Sequence, residues 1–343
     1  MDNITPEQKM AWTPGLTLKN ANGAVSDQSL GYQYTTQTTT FIRAQVIEQK
    51  FYEIPVADFV PVVVGTGAFM EDIKTNIQYD LMGDFEAGIQ GTSSGPTAVS
   101  QVGVATSPKT AYVKTWAYGY QYNTIEVEKA LASNNWNVIE GKMKALKKRW
   151  DLGIQKIAFL GMLSDKTRVP GLLSNSEVTV DSATITKSIG SMSVDEFATF
   201  VKTIMGVYFS NSGSTVLPDT FVIPMGDYLG LTTPVSPTFP MVTKLEYLEK
   251  AFKIASQNPN FKVSGVAYCD QANNAGYWAA LGTNRYCLYR KDPETMKMDI
   301  PVPFILNPAA TADNFNWNGV SLGQFTGTVV YRTPEVLYFD YAA

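Results

Sequence analysis

Ile139, Met143, Leu146, Trp150, Ile154 and Ile157 recur at spacings of three and four, which puts them on one stripe of a helix spanning about residues 137–160. Lys144, Lys148 and Gln155 fall opposite the stripe, Lys147 on one flank, and Lys142, Arg149 and Lys156 on the other. Just upstream the period is two: Tyr112, Trp116, Tyr118, Tyr120 and Tyr122 share one face of a strand whose other face carries Val113, Ala117 and Gly119. A shorter helical segment starts near Thr124, and Ser133-Asn134-Asn135 separates it from the long helix.

Residues 1–45 are polar, as in Tyr34-Thr35-Thr36-Gln37-Thr38-Thr39-Thr40, and show no sustained period. They read as an arm. Residues 51–108 are extended and turn-rich, with alternation at Ile77, Tyr79 and Leu81 and a glycine-rich tip at Gly88, Gly91 and Gly95, after which a strand returns through Val99 to Ala105. A two-stranded excursion of this length has too little apolar surface to be stable alone, so it is expected to lie against something else.

Beyond Gly161 the chain turns through Arg168-Val169-Pro170-Gly171-Leu172-Leu173-Ser174-Asn175. Ser193-Val194-Asp195-Glu196 is a capping box that starts a new helix with Val194, Phe197, Val201, Ile204 and Tyr208 on its apolar face. Strand-like segments at residues 220–223, 263–268 and 286–290 and a helix at about 244–256 complete an α+β unit. Residues 325–341 are again strand-like, punctuated by Pro334, and are expected to pair with the sheet begun before the long helix.

Charge divides along the chain. Residues 51–108 carry Glu53, Asp58, Glu71, Asp72, Asp80, Asp84 and Glu86 against Lys74 alone, whereas residues 140–156 carry six bases against Glu140 and Asp151. The net charge is -4 and the sequence pI about 5.1, so broad coating of phosphate backbones is excluded and any nucleic-acid contact is local. With 343 residues, 45% hydrophobic and 12% aromatic, the chain has material for about two folded units and is not disordered in bulk.

Zero histidines remove Ser-His-Asp triads, Cys-His dyads and His-metal sites, leaving Lys, Tyr, Cys or paired carboxylates as catalytic groups. Gly65-Thr66-Gly67-Ala68-Phe69-Met70 lacks the third glycine of a dinucleotide fingerprint, and Gly141-Lys142 lacks the Walker spacing. Glu71-Asp72 and the Glu126, Glu128 pair read as solvated carboxylates. No catalytic, cofactor or metal residue is assigned. Cys269 and Cys287 are too few to staple the chain and read as buried small hydrophobes. No run of about 20 apolar residues indicates a membrane span. The aromatic strand offers a stacking platform for bases or sugars, but the acidity of the chain favours core packing.

The order of these parts resembles the Hong Kong 97-type major capsid proteins of tailed phages. The local likeness is strongest at Val113-Lys114-Thr115-Trp116-Ala117-Tyr118 and at residues 158–175 with their Pro170-Gly171-Leu172-Leu173 turn. The resemblance implies an α+β capsid fold with an N-terminal arm (1–45), an extended two-stranded loop (46–110), a peripheral domain with spine helix (111–190), an axial domain (191–319) and a C-terminal return strand of the peripheral domain (320–343). It implies self-assembly into the pentamers and hexamers of an icosahedral shell around double-stranded DNA, without catalysis or cofactor. It places the protein in the virion, and in the host cytoplasm during assembly.

Implied partners are further copies of the chain, a portal, scaffold or decoration proteins, and DNA by non-specific contact. There is no room for a scaffolding segment ahead of the loop, so a separate scaffold, or none, is expected. Some members crosslink a loop lysine to a neighbour's asparagine; Lys74 is the loop lysine here, but no matching asparagine or acid is identifiable and that chemistry is not carried over. Expected intersubunit or DNA-facing charges are Lys142, Lys144, Lys147, Lys148 and Arg149, opposite the loop acids Glu71, Asp72, Asp80, Asp84 and Glu86. A nanocompartment shell of the related encapsulin type and a carboxylate- or lysine-dependent enzyme are the alternatives.

Overall fold

A short strand, β1 (Val62–Val64), leads into the longest ladder of the molecule, β2 (Asp72–Leu81) against β3 (Gly103–Tyr112), antiparallel from Asp72↔Tyr112 to Leu81↔Gly103. The computed structural model describes residues 51–81, 103–134, 138–236, 239–311, 313 and 315–341. The arm and the glycine-rich tip lie outside the described residues. After β4 (Lys114–Asn123) come α1 (Thr124–Asn134) and the long helix α2 (Val138–Leu160).

The remaining order is β5 (Thr179–Asp181), α3 (Val194–Asn211), β6 (Thr220–Pro224), α4 (Met225–Leu231), β7 (Pro234–Ser236), β8 (Phe239–Thr243), α5 (Lys244–Ala255), β9 (Lys262–Val266), α6 (Gln271–Asn274) and β10 (Asn284–Tyr289). The strands β11 (Met296–Ile300), β12 (Val302–Leu306), β13 (Ala310–Thr311), β14 (Asn316–Phe325), β15 (Thr328–Val330) and β16 (Val336–Tyr341) follow. β1-β11-β15 form one sheet, β5-β16-β10-β6-β9 a second, and β12-β14-β13 a third, in which β14 also takes β4.

The chain divides into two units. Among the described residues, the smaller joins Phe51, 122–134, 138–142, 311, 313 and 315–317; the larger holds 52–81, 103–121, 143–236, 239–310 and 318–341. In the smaller, Tyr122 stacks on Trp317 at 6.2 Å and Lys142 binds both oxygens of Glu126 at 2.8 and 2.9 Å.

In the larger unit, the five-stranded sheet buries Phe221, Ile223, Tyr286 and Leu288 against α3 and α5, whose Phe197, Ile204, Leu248 and Phe252 are fully enclosed. Serine and glutamate at positions 193 and 196 form the expected capping box. The Ser193 N–H and Lys187 hold the Glu196 carboxyl at about 2. A folded value below the unfolded one stabilises above the unfolded carboxylate range and is lost as pH falls toward about 2. A carboxyl chemical-shift titration is expected to place the Glu196 midpoint near 2; a midpoint of about 4.3, the unperturbed glutamate value, would refute the capping geometry.

The last turn of α2 shows how the helix is stopped. Its final carbonyls have no helical partner. Gly161 N–H donates to Ile157 O, Leu172 N–H to Ala158 O, Leu173 N–H to Phe159 O, and the Ser174 hydroxyl to Leu160 O. The Pro-Gly-Leu-Leu turn is thus the C-cap of α2, and Leu172 and Leu173 carry it into the core formed with Phe159, Leu160 and Met298.

Three expectations need correction. Gln155, read as outward, is buried: it accepts from Ile54 N–H at 3.0 Å and donates to Tyr52 O at 3.2 Å and the Tyr268 hydroxyl at 3.0 Å. The segment from Tyr52 to Ile54 covers that end of the helix, a long-range packing event that helical periodicity does not encode. Gln155→Ala is expected to cost about 1–3 kcal/mol in denaturant unfolding, because it removes three hydrogen bonds of a buried amide and leaves the partly buried Ile54 N–H and Tyr52 carbonyl without that partner; an unchanged midpoint would refute the cover.

Second, Tyr112 ends β3 rather than sharing β4 with the other aromatics. Third, of residues 325–341 only Phe325, the last residue of β14, belongs to a strand that pairs with β4. β15 pairs β11, and β16 runs between β10 and β5. Gly327 accounts for the break between β14 and β15: a Cβ there would meet the Pro170 nitrogen at 2.8 Å, so the chain passes against the C-cap turn as bare backbone.

Candidate assembly surface

Of the period-two aromatics of β4, Tyr120 is buried and Trp116 packs against the core, whereas Tyr118 is exposed. Trp116 meets Trp150 of α2 edge-on at 5.4 Å, and Tyr120, buried, donates to Asn307 O at 3.0 Å. β14 admits both rings because it carries glycine where side chains would collide: a Cβ on Gly319 would stand 2.5 Å from the Tyr120 hydroxyl, and one on Gly323 2.6 Å from the Trp150 ring. Those glycines were not singled out by sequence reasoning. Their signal was the spacing of small residues in Gly319-Val320-Ser321-Leu322-Gly323.

The bases of α2 are less uniformly free than their helical positions indicate. Lys142 is tied to Glu126, Lys148 is ion-paired with Glu53, and Arg149 donates to the Tyr118 hydroxyl at 2.7 Å while lying 4.5 Å over that ring. Lys144 and Lys147 are exposed. The structure therefore brings two of the five bases onto acids of their own chain and a third onto an aromatic ring.

The hairpin has two regimes along its length. At its root Ile73 and Ile77 face Ala111, Val329 and Tyr331. Farther out Gly103 to Pro108 of β3 are exposed at every position, on both faces, with Val104 at 58%. Of the loop acids, Glu71 is exposed, Asp72 pairs with Lys74 at 3.7 Å, and Asp80 sits opposite Val104 in the ladder. Asp84, Glu86 and the tip glycines Gly88, Gly91 and Gly95 lie outside the described residues. Lys74 is opposite Thr110 at the root.

No catalytic constellation is assembled from these groups. Cys269 and Cys287 are buried and unpaired, and burial pushes both thiols up, away from the reactive thiolate. Asp165 is held below the usual carboxylate range by its hydrogen bond from Lys114 at 3.0 Å, an ordinary structural pair. Among the described residues no group of three or more His, Cys, Asp or Glu is placed to hold a metal, and no helix is long and apolar enough to cross a membrane. What the surface offers is a projecting two-sided hairpin and a charged helix face, elements suited to contact with another macromolecule.

Residues 86–342 match the family model described as Major capsid protein. Among solved structures, the chain is similar to the capsid of Myoviridae phage XM1 at 16% identity and a TM-score of 0.71, over 93% of this chain and 99% of that one. A native GTA particle capsid matches at 10% identity and a TM-score of 0.54, over 93% and 100% of the two chains. A structure from Mycobacterium phage Ogopogo matches at 14% and 0.53, also over 93% and 100%. At these identities the structural likeness is one of fold. No curated protein matches the sequence.

Proposed function

Because the chain belongs to the major capsid protein family and has the Hong Kong 97-type capsid fold, we propose that its copies assemble into the pentamers and hexamers of an icosahedral tailed-phage head enclosing double-stranded DNA. The observation that carries the reading beyond family membership is the outer half of the β2–β3 hairpin. An isolated two-stranded ribbon exposed on both faces is marginal in water, and a neighbouring copy in a shell supplies the missing surface. The role is architectural, without catalysis or cofactor. Residues 1–45 act as the arm, 46–110 as the extended loop, 111–190 with 320–343 as the peripheral domain and 191–319 as the axial domain. Portal, scaffold or decoration proteins complete the head, which assembles in the host cytoplasm.

The exposed bases Lys144 and Lys147, with Lys142, Lys148 and Arg149 beside them, face a neighbour's loop acids or the enclosed DNA. Single exposed pairs contribute about 0–1 kcal/mol, so the effect is collective and screened by salt. Lys144→Glu with Lys147→Glu is expected to weaken assembly most at low ionic strength, read by light scattering; equal assembly at every ionic strength would remove these charges from the account. The function itself is tested by cryo-electron microscopy of particles from productive infection. Five- and six-fold capsomers of this chain around nuclease-protected duplex DNA support it, and particles in which the chain forms no shell lattice overturn it.

A further inference from the structure

The root of the hairpin and the turn after α2 enclose a cleft of about 440 Å³, within the size range of small-molecule sites. Ile77, Pro108 and Val329 supply apolar lining, while Lys109 of β3 and Lys166 and Arg168 of the turn set three bases against the single acid Glu177. Lys109 is ion-paired with Glu177, and Lys166 donates to the carbonyls of Gly276 and Tyr277. Arg168 is the base left over. It lies 5.4 Å over the Tyr112 ring, and its N–H groups meet no acceptor among the described residues.

Asn175 makes the recess more than a patch of surface bases. It is only 6% exposed, yet it lines the cleft. Its side-chain oxygen accepts from Glu177 N–H at 3.0 Å, which fixes the amide orientation and leaves its NH₂ donors without an acceptor among the described residues. Buried polar groups are nearly always hydrogen-bonded, so these donors call for an acceptor from outside the subunit. Thr110 and Thr167 line the same cleft with hydroxyls.

We propose that this cleft binds the phosphate group of a small molecule, as the free ion or as a monoester. A guanidinium fork, an amide and hydroxyls from separate segments match the several oxygens of a phosphate, and the excess of bases matches its charge. A carboxylate presents two oxygens in one plane and leaves donors unmet. The cleft is larger than a phosphate ion, and the body of an ester would rest on Ile77, Pro108 and the Tyr112 ring. Because β3 and the turn that caps α2 both contribute, bound phosphate ties the hairpin root to the core of the subunit. Every contributing residue belongs to one chain, so binding does not depend on assembly.

The test is isothermal titration calorimetry of the full chain at constant ionic strength, with inorganic phosphate, adenosine monophosphate, adenosine and acetate as probes. Saturable binding of phosphate and of the monophosphate is expected, one per chain, and none of adenosine. Tighter binding of the monophosphate supports an ester as the ligand; equal binding supports the free ion. Arg168→Gln, at an exposed position, is expected to raise the dissociation constant about tenfold or more, with an unfolding curve like that of the parent. Asn175→Asp keeps an acceptor for Glu177 N–H but replaces the donors with an anionic oxygen, and is expected to abolish binding. Lys202→Gln, exposed on α3, removes the same charge elsewhere and is expected to leave binding unchanged. Absence of saturable binding by the parent overturns the proposal, as does phosphate binding unchanged in Arg168→Gln, an equal loss in Lys202→Gln, or acetate bound as tightly as phosphate. A short thymidine oligonucleotide that binds more tightly than adenosine monophosphate, and loses binding with Arg168→Gln, would assign the recess to nucleic acid and equally overturn it.

Discussion

Gly171→Ala is expected to destabilise the subunit by about 3 kcal/mol or more, lowering its Tm by roughly 6 °C and reducing the yield of assembly-competent protein. A Cβ on Gly171 would stand 2.5 Å from Leu160 C and Phe159 O and closer still to Gly161 N, and all of these are backbone atoms that cannot rotate away. Gly161 is the reciprocal surface: at φ +72 it takes the left-handed conformation that ends α2, and its own added Cβ would meet Gly171 N and Val169 O at 2.6 Å. Relief would require separating the C-cap turn from the helix, at the expense of the bonds from Leu172, Leu173 and Ser174 to the last carbonyls. Gly153→Ala is the control, since nothing lies within 4 Å of a Cβ there. In mid-helix it is expected to be neutral or stabilising by up to about 1 kcal/mol. Equal thermal melts for the two variants would refute the glycine-on-glycine contact.

Asp340→Asn is expected to cost about 3–5 kcal/mol, because it leaves a buried guanidinium without its counter-charge. Arg285 of β10 is 4% exposed and faces Asp340 of β16 in register. Its Nε and Nη2 donate to the two Asp340 oxygens at 2.6 Å each, its Nη1 donates to Leu173 O at 2.6 Å, and Trp278 and Tyr338 lie against it at 4.1 and 4.7 Å. This cluster links the five-stranded sheet to the same C-cap turn. Replacing both partners, Arg285→Met with Asp340→Leu, removes the unpaired charge and is expected to recover most of the loss. If the double variant unfolds as easily as Asp340→Asn, the loss comes from packing or from the Leu173 bond rather than from the stranded charge.

The parts of the fold that were legible in the sequence are those set by local rules. The stripe from Ile139 to Ile157 places α2 within a residue of where it lies, and the Ser193–Glu196 box starts α3 where it is found. Alternation of Trp116, Tyr118, Tyr120 and Tyr122 identifies β4 and its packing face. What was hidden depends on residues far apart in sequence. Gln155 is buried by Tyr52 and Ile54, about a hundred positions away, and no helical pattern carries that information. The end of the chain splits among three sheets because its strand-like composition does not specify a partner. The cleft at the hairpin root joins Lys109 to Lys166 and Arg168, bases too widely separated to form a sequence motif. The loop acids and helix bases could be named from sequence, but the intramolecular partners of Lys142, Lys148 and Arg149 could not.

Self-assembly is the central claim, and sedimentation velocity of the purified chain across protein concentration and ionic strength tests it most directly. Capsomer-sized species of five or six copies, or faster-sedimenting closed shells, are expected to grow with concentration at the expense of single chains. A single 37.7 kDa species at every concentration and salt would contradict self-assembly.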